Sequence, residues 1–172
     1  GVVPLRLTAR HILLATGGKP QVPDIPGRAQ VVTSNEMFDL GPFPARLLVV
    51  GGGYIACEFA SIFNGLGAQV VQLYRGEQVL RGFDDEVRAF IAAEMRKTGV
   101  DLRMNADVQS ITRGEQGLEV LLTSGEVVTV DEVLYATGRT PLVAGLGLER
   151  VGVAQGRDGA VQGAGLRRVA GR

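Results

Sequence analysis

The sequence predicts an α/β fold, a parallel βαβ sheet joined to an antiparallel β-meander. Three observations predict it. The apolar run 47–50 stops at Gly51-Gly52-Gly53, and apolar residues then recur at helical spacing at Ile55, Phe59, Ile62 and Phe63. A second apolar run, 68–74, follows Gly65 and Gly67, and two strands joined by a helix lie in parallel. Across 107–130 polar and apolar residues alternate around Gly114, Gly117 and Gly125, the pattern of hairpins.

The remaining elements follow in chain order. Residues 10–15 (RHILLA) form an apolar run closed by Thr16-Gly17-Gly18, which predicts a strand and turn and makes His11 a strand residue. Three prolines within 19–30 predict an extended connector, because each biases its predecessor away from helix. A short strand is expected at 31–33, with Ser34 capping a helical turn over 35–40, and the GPFP segment at 41–44 punctuates the chain. After the βαβ unit, residues 84–98 predict a helix. Asp84, Asp85 and Glu86 suit its positive end, and Val87, Phe90, Ile91 and Met95 make its apolar stripe. Strands are expected at 100–104 and 131–136, the last closing at Thr137-Gly138.

Composition narrows the function. The 172 residues suffice for one domain, or for one domain with pieces of another, and 45% hydrophobic content supplies a core. Lys+Arg and Asp+Glu both total 18, a balance that argues against bulk electrostatic binding to nucleic acid or to a membrane. Cys57 is the single cysteine, so no intramolecular disulfide forms and a reducing, cytoplasmic compartment is expected. No stretch reaches the roughly 18 apolar residues of a membrane span. The first residues, GVVPLRLTAR, lack an initiating Met and a signal-peptide layout and read as a segment cut from something longer.

Gly51-x-Gly53-x-x-Ala56 stands between a predicted strand and a predicted helix, the setting in which this spacing binds a dinucleotide in a Rossmann-like fold. Gly51 permits the turn, Gly53 lets the backbone approach a diphosphate, and Ala56 keeps the helix close to the strand. Free N–H groups at the helix start, around Tyr54 and Ile55, would receive the anion. A glycine-rich turn that binds nothing has the same composition. The second strand chooses the cofactor. An NAD site places an acid near its end; here Tyr74 is followed by Arg75, with Arg81 one loop away. Two guanidiniums suit the 2′-phosphate of NADPH, although they also fit two solvated loop residues, and Glu77 is close enough in sequence to pair with either.

The segment 51–88, GGGYIACEFASIFNGLGAQVVQLYRGEQVLRGFDDEVR, resembles the NADPH-binding stretch of the flavin-dependent pyridine nucleotide–disulfide oxidoreductases, in their glutathione and trypanothione reductase branch. HILLATGGKPQVPDIPG (11–27) and LYATGRTP (134–141) resemble that family's two A-T-G motifs, so the likeness runs over about residues 8–160. The related dihydrolipoamide dehydrogenases carry an acid where Tyr74 stands. The resemblance implies that Gly51, Gly53, Ile55 and Ala56 serve the diphosphate end, and that Arg75 and Arg81 hold the 2′-phosphate. It implies that Tyr54 covers the flavin until nicotinamide displaces it, and that Glu58 lies near the nicotinamide carboxamide. Thr137, Gly138 and Arg139 would line the nicotinamide and flavin cleft, and Thr16 and Gly17 a turn against the flavin. Read from the residues alone, Tyr54 also fits an aromatic packed on the sheet and Glu58 a solvated helix residue, while Cys57 fits a small buried apolar position.

The same resemblance sets out a domain plan: residues 1–44 as part of an FAD domain with a connector, 45–138 as the NADPH domain, and 139–172 as a return to the FAD domain. It implies NADPH as cofactor, FAD in the full-length protein, glutathione disulfide as substrate of the full-length enzyme, and a homodimer formed largely through a domain not present, which leaves this chain a monomer. The Cys-x4-Cys pair and the N-terminal G-x-G-x-x-G of that family are missing. Gly145-x-Gly147-x-x-Arg150 and Gly163-x-Gly165-x-x-Arg168 carry Arg where a small residue is needed, Leu142 stands where the family has Asn, and the last residues, VQGAGLRRVAGR, are patternless and expected to be disordered. The chain alone is therefore expected to bind NADPH, to turn over nothing and to bind no metal. A non-catalytic module that senses NADPH, a trypanothione reductase, and an NAD(P)H oxidase-like relative are the other readings; the arginines and RGFDD weigh against the last.

Overall fold

In chain order the strands are β1 (Gly18–Pro20), β2 (Arg46–Val50), β3 (Gln69–Tyr74), β4 (Asp101–Met104), β5 (Val108–Gly114), β6 (Gly117–Leu122), β7 (Val127–Val130), β8 (Glu132–Tyr135) and β9 (Arg139–Pro141); the helices are α1 (Tyr54–Gly65) and α2 (Asp85–Lys97). This is a computed structural model, and it describes residues 4–162. The described residues form two compact units, 20–139 and a smaller one of 4–19 with 140–162. The larger unit takes in the connector at 20–44 together with the βαβ core.

The larger unit is built on a four-stranded parallel sheet of order β4-β3-β2-β8. β2 lies inside it, with Leu47 paired to Val70 on one side and to Glu132 on the other. Both faces are covered, which is why 47–50 reads as continuously apolar. Leu47 and Val49 point to the side of α1 and α2, into a core with Phe59, Phe63, Ala92 and Met95. Leu48 and Val50 point to the other side, where Ile111, Leu118, Val120 and Val130 of the antiparallel sheet β5-β6-β7 meet them. The expected α/β architecture, parallel sheet and meander, is the one found.

Local chemistry sets the ends of the helices. Asp84 caps α2, its carboxylate accepting from the N–H groups of Glu86 and Val87. α1 closes where Ala68 N–H donates to Phe63 O at 3.0 Å and Gly67 takes φ 100, a left-handed value that glycine adopts freely. The tie between β2 and β8 is an ion pair. The Asp131 carboxylate accepts from the backbone and guanidinium of Arg46, and these hydrogen bonds hold its pKa below the ordinary 3.8.

Several expectations are corrected. Residues 10–15 form no strand, and Ile12 and Leu13 are 80% and 87% exposed. A strand needs a neighbour to take its N–H and C=O groups, and no described residue pairs with this run. His11 is accordingly exposed coil. The 31–33 strand shrinks to one bridge, Val32 to Leu134. The turn at 35–40 is not capped by Ser34. Thr33 closes it, its hydroxyl and N–H both donating to the Glu36 carboxylate at 2.6 and 2.7 Å, as in a capping box. In α1 the small residues Ala56 and Ala60 are buried and Ile62 is 52% exposed; in α2 Ala92 is buried and Phe90 is 63% exposed. The sheet-facing side of α1 carries Ala56 and Ala60 and that of α2 carries Ala92, which allows a close approach, while Ala89 and Ala93 of α2 are exposed.

In the smaller unit Leu142 N–H donates to Gly17 O at 2.9 Å, a 3-10 turn spans Leu148–Val151, and Gln155 bridges Val161. β1 and β9 form a two-stranded sheet. The Gly163-to-Arg168 motif and the expectation for the tail lie outside the described residues. Among the described residues no helix is long and apolar enough to cross a membrane.

The Arg46–Asp131 pair makes a pH-dependent contribution. A carboxylate with a lowered folded pKa stabilises the fold above its unfolded pKa and loses that contribution as pH falls through its folded value. Urea denaturation at falling pH will show wild type more stable than Asp131→Asn at neutral pH, with the gap narrowing below the ordinary 3.8. A gap independent of pH would assign the effect to packing.

Candidate functional site

A groove of about 1540 Å³ opens at the carboxyl ends of β2, β3, β4 and β8, and all its walls come from residues 20–139. Ligands of open parallel sheets bind at this edge. Its floor is the glycine turn. Gly51 has φ 143, and a Cβ there would collide with the carbonyl oxygen of Ala136 and sit 3.3 Å from the Ala56 Cβ. Its N–H donates to Leu73 O at 2.9 Å. A Cβ on Gly52 would enter the Tyr74 ring, whereas one on Gly53 would meet nothing within 4 Å. Gly53 therefore presents open backbone to the groove. It is the N-cap of α1 with no side-chain cap, so the first N–H groups of the helix stay available to an anion.

One buried group that the sequence did not single out supports this turn. Gln72, fully buried, donates through Nε2 to Gly51 O at 2.9 Å and lies 3.6 Å from Cys57 Sγ. A glutamine amid the apolar residues of β3 was the available signal. Cys57 is a buried free thiol, pushed above its ordinary pKa by burial, with the Gln72 amide opposing. Tyr135 lines the groove with a buried hydroxyl, and burial raises its pKa as well.

Arg75 and Arg81 are exposed, and both line the groove. Neither has a hydrogen-bond or ion-pair partner among the described residues, and Glu77, also at the groove, pairs with neither. Arg88, Arg96 and Arg139 line it too, so five arginines face two carboxylates, Glu77 and Asp107. A chain of zero net charge thus holds a local cationic site.

The other expected residues divide. Tyr54 and Ile55 line the groove, Tyr54 with 58% exposure. Thr137, Gly138 and Arg139 line it as well: the Thr137 hydroxyl donates to Gln21 O at 2.9 Å, and Arg139 Nη1 lies 3.3 Å from Ser34 Oγ. Ala56 is buried behind the turn, as a spacer would be. Glu58 is exposed on α1 and is not among the lining residues. Thr16 and Gly17 belong to the smaller unit and do not line the groove. The near-miss Gly145-x-Gly147 heads a 3-10 turn and follows no long strand.

A family model described as pyridine nucleotide-disulphide oxidoreductase matches residues 4–164. The chain belongs to this family. It is 51% identical over 156 residues to a glutathione reductase of Burkholderia cepacia, covering 91% of this chain and 35% of that protein. To a trypanothione reductase of Leishmania donovani it is 42% identical, covering 91% of this chain and 32% of the relative. Among solved structures, the HOCl-induced flavoprotein disulfide reductase RclA of Escherichia coli superposes with a TM-score of 0.81 at 35% identity, over 87% of this chain and 35% of that one. The chain thus spans about a third of the length of these family members.

The glycine geometry separates folding from binding. Gly51→Ala will destabilise the fold by at least about 1–3 kcal/mol, from backbone strain and the clash at Ala136. Gly53→Ala will melt near wild type and lose nucleotide affinity. Thermal melts of the two variants check this, and equal melting points would overturn it.

Proposed function

We propose that this chain is the NADPH-binding part of a flavoprotein disulfide reductase whose whole form reduces glutathione disulfide. One observation carries the reading: two arginines without partners among the described residues face the groove whose floor is the open amide turn. The dinucleotide's diphosphate would lie on the Gly53, Tyr54 and Ile55 backbone, favoured by the helix dipole. The phosphate on the adenosine ribose would lie between Arg75 and Arg81, each charge-assisted contact contributing about 1.5–3 kcal/mol.

A solved relative supports this pairing. An engineered water-forming NADPH oxidase bound to NADPH is 25% identical, with a TM-score of 0.71 over 84% of this chain and 33% of that one. Four of its five substitutions turn a glycine into alanine, an aspartate into alanine and two later residues into arginine. Their mutual spacing is that of Ala56, Tyr74, Arg75 and Arg81 here. An acid at the Tyr74 position would repel the phosphate; an aromatic ring does not.

NADPH, when bound, supplies a hydride. Tyr54 would gate the nicotinamide end, with Thr137, Gly138 and Arg139 along its wall, Glu58 near the nicotinamide carboxamide, and the Thr16–Gly17 turn serving the flavin side in the whole protein. The described residues offer FAD no second strand–glycine turn–helix, so no step through flavin is assigned to this chain. Glutathione disulfide is favoured over trypanothione because the glutathione reductase relative is 51% identical and the trypanothione reductase 42%. A cytoplasmic setting accords with the unpaired Cys57.

Changing Arg75 and Arg81 together to Ala will weaken NADPH binding tens-fold or more, as expected for two lost charge-assisted contacts of about 1.5–3 kcal/mol each, and leave NADH little changed. Calorimetric titration with both nucleotides tests it, and equal losses would refute the assignment. The purified chain will also be colourless. A yellow preparation with one FAD per chain, seen by its visible absorbance, would show a flavin site here.

A further inference from the structure

The loop between β3 and α2 carries both arginines and has no regular structure, so something else must fix where Arg81 stands. Two ties do so. On one side Leu80 N–H donates to Gly52 O at 2.6 Å, joining the loop to the glycine turn. Leu80 has φ 56, a left-handed conformation uncommon for leucine, and its side chain and that of Val79 are buried in the helix-side core. On the other side Arg88 reaches back from α2. Its Nε donates to Val79 O at 2.8 Å, its Nη2 to Gln78 O at 3.0 Å, and its Nη1 to the Asp85 carboxylate at 2.6 Å.

Arg88 borders the same groove as Arg75 and Arg81 and by charge alone would count as a third phosphate ligand. Its bonding says otherwise. All three nitrogens of the guanidinium are engaged by protein oxygens, and its side chain is 19% exposed. Arg75 and Arg81 have no such partners among the described residues. A planar fork presents spaced, pre-aligned donors to two successive carbonyls, which the ammonium of lysine, one nitrogen on a flexible stem, does not match.

We propose that Arg88 is a positioning residue for cofactor choice: it clamps the Gln78–Val79 backbone so that Arg81, which directly follows this clamp and the Leu80–Gly52 bond in the chain, is preset to receive a ribose phosphate. The proposal rests on the NADPH reading above. Without the clamp the loop must be ordered during binding, and that entropic cost falls on the ligand that uses the loop. NADH, which lacks the phosphate, does not use it.

The test is equilibrium binding of NADPH, NADH and 2′,5′-ADP to the full chain over a range of salt, for wild type, Arg88→Met, Arg88→Lys and Arg81→Ala, with melting temperatures recorded. Arg88→Met keeps the stem and removes the donors. It will weaken NADPH and 2′,5′-ADP by about tenfold, and NADH by less than about twofold, because only the preorganisation of the loop is lost. Its salt dependence will stay near wild type, since the cations facing the phosphate are unchanged, whereas Arg81→Ala will flatten it. Arg88→Lys will not restore the NADPH-to-NADH ratio.

Equal loss of both nucleotides, a salt dependence as flat as that of Arg81→Ala, or full rescue by lysine would each overturn the proposal, pointing to a general structural role, a direct ligand, or charge alone. If Arg88→Met does not fold, the lysine variant decides. If Arg81→Ala leaves the ratio at its wild-type value, the NADPH reading itself has failed. If Arg81→Ala shifts the ratio and Arg88→Met does not, only the positioning role is lost.

Discussion

The carbonyl of Ala136 and the backbone of Gly51 approach so closely that no side chain fits between them. That contact joins the end of β2 to the end of β8 and lets β2 turn at once into α1. Because all four strands of the sheet are parallel, their carboxyl ends open on one edge, and a turn made there necessarily faces a groove. Ala56, wholly buried and beside Gly51, keeps the first turn of the helix close to the strand. The open amide turn is thus a consequence of close backbone packing, with side chains excluded from it.

Charge in the groove is divided between two kinds of arginine. Some guanidiniums are consumed by the fold: Arg88 holds the Gln78 and Val79 carbonyls, and Arg96 donates to Leu102 O at 3.2 Å. Arg75 and Arg81 have no acceptor among the described residues and stay available to an anion. A lining of five arginines therefore does not amount to five ligands, and the hydrogen-bond partners sort them. The same sorting explains how a chain of balanced charge bears a locally cationic groove.

Polar groups inside the sheet serve that surface from behind. Gln72 lies in the core beneath α1, where an uncompensated amide is costly, and its Nε2 is committed to Gly51 O. Cys57 beside it is buried, and that burial pushes its thiol pKa up. These residues keep the turn in place without reaching the groove.

By itself the sequence determined what depends on neighbours along the chain. The apolar run 47–50, the glycine turn, the helix behind it, the meander and the pair Arg75 and Arg81 were all legible, because each is a local pattern with a local cause. Tertiary structure decided the rest. It chose which side of each helix is buried, turning Ile62 and Phe90 outward and Ala56, Ala60 and Ala92 inward. It left residues 10–15 without strand partners, and it gave the turn at 35–40 to Thr33. It also separated Arg88 from the other arginines, since an acceptor such as Val79 O is supplied by a loop whose path only the packed fold defines. A residue's type sets the bonds it is able to make; which of them form depends on the atoms that folding brings within reach.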